Sequence, residues 1–164
     1  MGVPRDDAPH GDGSITRLVP AGADRFMAER GLGVSTIQFK VAGPESPGLL
    51  VLENTFHAKG GPARHLHVAQ DEWFYAVEGV FVLEIGSERH RLERGDSVLA
   101  PRGVPHVWAH VGDGRGRILV AFAPAGQMEA FFRVVTAHDA MPPQDPALWR
   151  AHGMELVGPP LAVE

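Results

Sequence analysis

Gly60-Gly61-Pro62-Ala63-Arg64-His65-Leu66-His67-Val68-Ala69-Gln70-Asp71-Glu72-Trp73-Phe74-Tyr75-Ala76-Val77-Glu78-Gly79 is the stretch on which the reading of this chain turns. On a strand, residues two apart share a face, so His65 and His67 present both imidazoles to one side and Arg64 to the other. Alone, such a pair is more often an exposed or hydrogen-bonded strand face than a metal site. Glu72 follows five residues after His67, across the Ala69-Gln70-Asp71 turn and at the start of the next strand. There it can return a carboxylate to the same face, with Phe74 and Ala76 on its side. His106 opens a later strand after Pro101-Arg102-Gly103-Val104-Pro105, a rigid turn that fixes where its ring points. Three neutral imidazoles and one carboxylate suit a divalent first-row metal, with positions left for water and substrate.

Working outward, the chain is a succession of short apolar runs separated by Gly, Pro and Asp turns. Thr36 to Val41 alternates, with Ile37, Phe39 and Val41 on one face. Leu49 to His57, Trp73 to Val77, Val80 to Ile85, Arg89 to Leu92, Ser97 to Ala100 and Arg117 to Ala123 read as further strands. Gly112-Asp113-Gly114 is a hairpin signal between His106–Val111 and Arg117–Ala123. Many short strands with frequent turns predict a sandwich or closed barrel. The period then changes. Met128, Phe131, Phe132 and Val135 fall at helical spacing, and the stripe reads as packing against the barrel. A second helix is punctuated by Asp145 as N-cap, Pro146 in the first turn and Gly153 as the stop.

Composition narrows the function classes. The chain has 164 residues, 44% apolar and 21% charged, which suits one domain. Cysteine is absent, which excludes disulfides, thiolate zinc sites, iron–sulfur clusters and cysteine nucleophiles. A net charge of −5 argues against nucleic acid as a partner. Twenty Gly and 14 Pro match the turn-rich pattern, and six of the nine histidines fall between His57 and His110. The N-terminus lacks the pattern of a secretory signal, and no apolar run approaches the roughly 20 residues of a membrane span, so a cytoplasmic protein without membrane partners is expected. No P-loop, GxSxG elbow or HExxH helix is present.

Two motifs carry a resemblance. Gly60-x4-His65-x-His67-x4-Glu72-x6-Gly79 resembles the first cupin motif, one residue short in its opening spacer. Gly95-x5-Pro101-x-Gly103-x2-His106 matches the second. The sequence is similar to small single-domain cupins of the quercetin-dioxygenase-like kind. That resemblance implies an all-β fold, a cupin (double-stranded β-helix or jelly-roll) barrel with one or two C-terminal helices. It divides the chain into a flexible lead-in over 1–13, a barrel over 14–124 and a helical extension over 125–164. It implies one divalent transition metal held by His65, His67, Glu72 and His106, with Fe(II) first and Mn, Ni, Co or Zn as other occupants. It also implies a homodimer.

The implied activity is that of a metal-dependent enzyme acting on a small aromatic or apolar molecule, in first place a dioxygenase using O2. The alternatives are a non-oxidative isomerase, cyclase or dehydratase, and a binding module without turnover. Glu72 is a candidate base as well as a ligand. Where the family's second motif continues to an Asn, this sequence has His110. By strand parity His110 is a candidate catalytic residue in the cavity; the simpler reading is a strand-end histidine touching solvent. Phe56, Phe74, Trp108 and Phe122 are candidates for the substrate pocket or its surrounding core.

Overall fold

The computed structural model describes residues 17–164, so the lead-in expected over 1–13 lies outside the described residues. Along the chain run β1 (Gly31–Leu32), β2 (Ser35–Val41), β3 (Leu50–Phe56), β4 (Ala63–His67), β5 (Asp71–Glu78) and β6 (Phe81–Ile85). They continue as β7 (Glu88–Leu92), β8 (Ser97–Ala100), β9 (His106–His110) and β10 (Gly116–Ala123), then α1 (Met128–Val135), α2 (Pro146–Ala151) and β11 (Met154–Pro160). The strands form two antiparallel sheets, ordered β1-β2-β3-β10-β5-β8 and β11-β4-β9-β6-β7. This is the all-β barrel expected from the turn-rich sequence.

Alternation builds the interior. In β2, Ile37 and Phe39 are buried while Thr36 is exposed; in β5, Glu72, Phe74 and Ala76 point in while Trp73 points out. The facing sheets bury Phe39, Leu52, Phe56, Phe74, Phe81, Leu83, Ile118 and Phe122 in one cluster. Each such side chain contributes about 1.5–3 kcal/mol on leaving water, so the core supplies ample stabilisation to hold polar groups among it.

Two expectations are corrected. The Gly112–Gly114 turn does not join a hairpin: β9 pairs with β4 and β6, whereas β10 pairs with β3 and β5 in the other sheet. The amides of Val111 and Gly112 bond to Val80 O and carry the chain across the barrel edge. Turn chemistry reports a chain reversal, not the partner of the strand that follows. The C-terminal extension is likewise not wholly helical. Both helices form, and Asp145 Oδ1 accepts the Ala147 amide at 3.0 Å. Beyond them β11 pairs with β4, Met154 opposite His67 and Leu156 opposite His65. Gly158 and two prolines disguise this strand in the sequence; it is tolerated because β11 lies at the sheet edge, with irregular register around Gly158.

Candidate metal centre

The residues that face each other across the two sheets converge on one point. His65 and His67 project from β4, Glu72 from β5 and His106 from β9, whose only ladder pairing with β4 is His65 to His106. One ligand atom from each lies within 4.8 Å of all the others, and all four side chains are buried. Glu72 Oε2 stands 2.7 Å from His106 Nε2, 3.1 Å from His67 Nε2 and 3.8 Å from His65 Nε2. The carboxylate and three imidazole Nε2 atoms therefore form a compact N3O donor set, with no sulfur among them.

The outer ring nitrogens are occupied. His65 Nδ1 donates to Ala63 O at 2.7 Å and His106 Nδ1 to Val104 O at 3.2 Å, and carbonyls only accept. His67 Nδ1 meets Gln70 Oε1 at 3.3 Å, while Gln70 Nε2 donates to Ala125 O at 3.0 Å and so fixes the amide's orientation. A proton on each Nδ1 leaves the Nε2 lone pairs of His65 and His67 turned inward, the arrangement that ligating histidines require. Among the described residues His67 Nε2 has no hydrogen-bond partner, although it is buried and faces a carboxylate oxygen. A lone pair against an anion calls for a cation between them, and the donor set fits a divalent first-row metal.

Electrostatics in the metal-free protein agree. Burial, reinforced by His106, pushes His65 down to about 3, so its ring is neutral. Burial alone would raise Glu72, but contact with His106 and then His67 prevails and holds the carboxyl well below the usual range. Burial opposes charge on His106 too, yet the Glu72 carboxylate outweighs it and raises that pKa. His106 is thus the group that carries the proton shared with Glu72, and its Nε2 would ligate a metal only on losing it.

Over the centre lies a cleft of about 550 Å³, counted out to solvent at its mouth. Phe56, Trp108 and Phe122 are among the residues that line it. Phe74 sits in the core behind, its ring 5.5 Å from Trp108 and 6.2 Å from His106. His110 does not touch solvent: it is fully buried, its ring 5.6 Å from Phe56 and 5.3 Å from Phe81, and it packs behind Phe56 without itself lining the cleft. Close packing under Gly116, where a Cβ would come within 2.4 Å of the imidazole, seals that end of the strand.

Sequence reasoning missed the other wall. Met128, Phe131, Phe132, Trp149 and Met154 close the cleft from the C-terminal elements. Trp149 packs 5.1 Å from His65 and donates Nε1 to Pro143 O at 2.8 Å. The helical stripe was a usable signal for Met128 and Phe131; nothing local marks Trp149 as a neighbour of His65. Arg64 points away from the centre and pairs with Glu84, as its parity implies.

Comparison with known proteins bears on this geometry. Residues 53–122 match the family model described as a cupin domain, Cupin_2, which spans Glu72, His106 and both motifs. That match and the two-sheet barrel support the cupin fold. The chain is 38% identical over 56 residues to the uncharacterised protein SCO3923 of Streptomyces coelicolor, a match covering 34% of this chain. It spans about half the length of that relative, 52%. Among solved structures, Streptomyces Pac13, described as a nucleoside dehydratase, superposes with a TM-score of 0.54 at 13% identity, covering 82% of this chain and 87% of that one. At that identity the correspondence is one of fold. KdgF from a Halomonas species overlaps 56% of this chain and 79% of its own at 26% identity, with a TM-score of 0.48. Among the described residues no helix is long and apolar enough to cross a membrane.

Proposed function

We propose that this cupin is a metal-dependent enzyme acting on a small, largely apolar or aromatic molecule, and that its reaction is oxygen-dependent, of the dioxygenase kind. The observation that carries the reading is the buried convergence of His65, His67, Glu72 and His106 beneath an aromatic cleft. When bound there, a divalent metal supplies Lewis acidity and open positions at which oxygen or substrate can be activated.

The chain's own residues define the rest of the chemistry. His65 and His67 turn Nε2 lone pairs inward because their Nδ1 protons are held outward, and His106 offers its own once the Nε2 proton shared with Glu72 is displaced. Glu72, held ionised by His106 and His67, is the candidate base of the site. Trp108, Trp149, Phe122 and Phe131 exclude water and give a planar apolar ligand stacking surfaces. Fe(II) is the first choice of metal, and a homodimer in the cytoplasm is the expected state.

Metal analysis of His67→Ala and Glu72→Ala tests the centre: both should lose the ion and stay β-rich by circular dichroism. Full occupancy in both variants refutes the ligand assignment. Oxygen uptake by anaerobically Fe(II)-loaded protein, offered flavonols or diketones, tests the reaction. Depletion of those compounds without oxygen replaces the oxidative reading with an isomerase or dehydratase, and stoichiometric binding without product replaces it with a binding module.

A further inference from the structure

Asn54 is a polar residue on the inner face of β3, between Leu52 and Phe56, and it lines the same cleft as the metal-binding cluster. It is 5% exposed, and among the described residues its Oδ1 has no hydrogen-bond partner. The register explains why. Across the ladder Asn54 stands opposite Ile37 on one side and Ile118 on the other, two buried aliphatic residues that offer no donor. A buried acceptor without a donor costs stability, so a side chain kept in that state among aliphatic neighbours points to a donor that arrives with a ligand.

The position of Asn54 also gives the ligand a length. Glu72 shares its row with Phe122 and Leu50, whereas Asn54 shares a row with Ile118 and Ala76, four residues further along the strands. At the rise of a strand those rows are roughly 13 Å apart. Between them the cleft is walled by Leu52 and Val120, with Trp108 from the other sheet, and Phe56 and Ser35 share the row just beyond Asn54.

We infer that Asn54 is a specificity-determining residue, accepting a hydrogen bond from a hydroxyl or N–H at the end of an elongated, mainly apolar ligand remote from the metal centre. The inference rests on the reading of this cleft as the substrate site and narrows its substrate class. A hydrocarbon of the same shape leaves Oδ1 unpaired and is discriminated against. Sites built to bond a substrate hydroxyl reject analogues that lack it for this reason.

Paired probes that differ only at the remote end test this without turnover or metal. The full chain is titrated with 4-hydroxybiphenyl and with 4-methylbiphenyl, followed by quenching of Trp108 and Trp149 fluorescence. Wild type should favour the phenol roughly tenfold. Asn54→Leu and Asn54→Val should reduce that preference to about twofold or less while binding the methyl probe at least as well. Asn54→Leu should also raise the Tm, and Asn54→Val serves if leucine overfills the site. Equal affinity of wild type for the two probes overturns the proposal, as does a preference that survives in both variants or failure of either probe to bind. Glu72→Ala should keep the preference. Metal retained in Glu72→Ala refutes the metal centre alone, and selectivity unchanged by Asn54 substitution with normal metal content refutes this inference alone.

Discussion

Gln70 is the most informative residue to change, because it touches a candidate ligand without being one. It is buried, takes the proton of His67 Nδ1 on Oε1 at 3.3 Å and gives Nε2–H to Ala125 O at 3.0 Å. Gln70→Leu keeps the volume and removes both bonds. The imidazole of His67 then loses the partner that fixes its tautomer and raises its basicity. Loss of such an outer partner lowers metal affinity about 10- to 100-fold, equivalent to about 1.4–2.7 kcal/mol. Two hydrogen bonds also leave the metal-free fold, costing about 2 kcal/mol, which lowers Tm by roughly 4–8 °C in a chain of this length. Gln70→Glu separates the effects, since a carboxylate still accepts from His67 but cannot donate to Ala125. It should keep metal affinity within about threefold while losing stability. Competition of Co(II) between protein and a chromogenic chelator reads the first quantity, and thermal unfolding of metal-free protein reads the second. Undiminished Co(II) affinity in a folded Gln70→Leu protein refutes the argument that Gln70 orients His67.

Three further outcomes follow from the same structure. His106 carries a raised pKa because of Glu72, so a metal must displace its proton; Co(II) affinity should therefore climb with pH through 6.5 and above. A flat profile from about pH 5 to about pH 8 contradicts that exchange. His110 is held neutral by burial, its pKa lowered, so the unfolded chain binds the proton more readily than the folded one. Its share of stability is present above its unfolded pKa of about 6.5 and is lost as pH falls below it. His110→Asn should flatten the urea-unfolding profile below that pH by up to about 1.4 kcal/mol per pH unit, and an unaltered slope would sink the assignment. In Gly61→Ala the new Cβ would meet Trp108 O at 1.9 Å and Ala109 Cα at 2.9 Å, both backbone atoms. That variant should lose at least about 3 kcal/mol, seen as a Tm lower by roughly 6 °C or more.

Much of the centre was legible in one dimension because its constraints are local. Strand parity alone places His65 and His67 together and turns Arg64 away. The Asp71–Glu72 strand start and the Pro105–His106 turn orient the other two donors by short-range geometry. His110 shows where parity stops: it sets the inward face correctly, yet cannot say that the ring packs behind Phe56 and against Phe81 rather than reaching solvent or the open cleft. Phe74 fails similarly, being inward but behind the wall.

What the sequence by itself determined is therefore the period-2 barrel, the two helices and the four donors, all governed by interactions spanning a few residues. Tertiary structure alone decided the partners. It set β9 and β10 in different sheets despite their tight turn, and laid β11 along β4 despite its prolines. It also brought Trp149 against His65 and left Asn54, a residue that lines the cleft, with aliphatic partners across the ladder. Those contacts join residues tens of positions apart, and they are chosen by burial of whole faces rather than by any spacing along the chain.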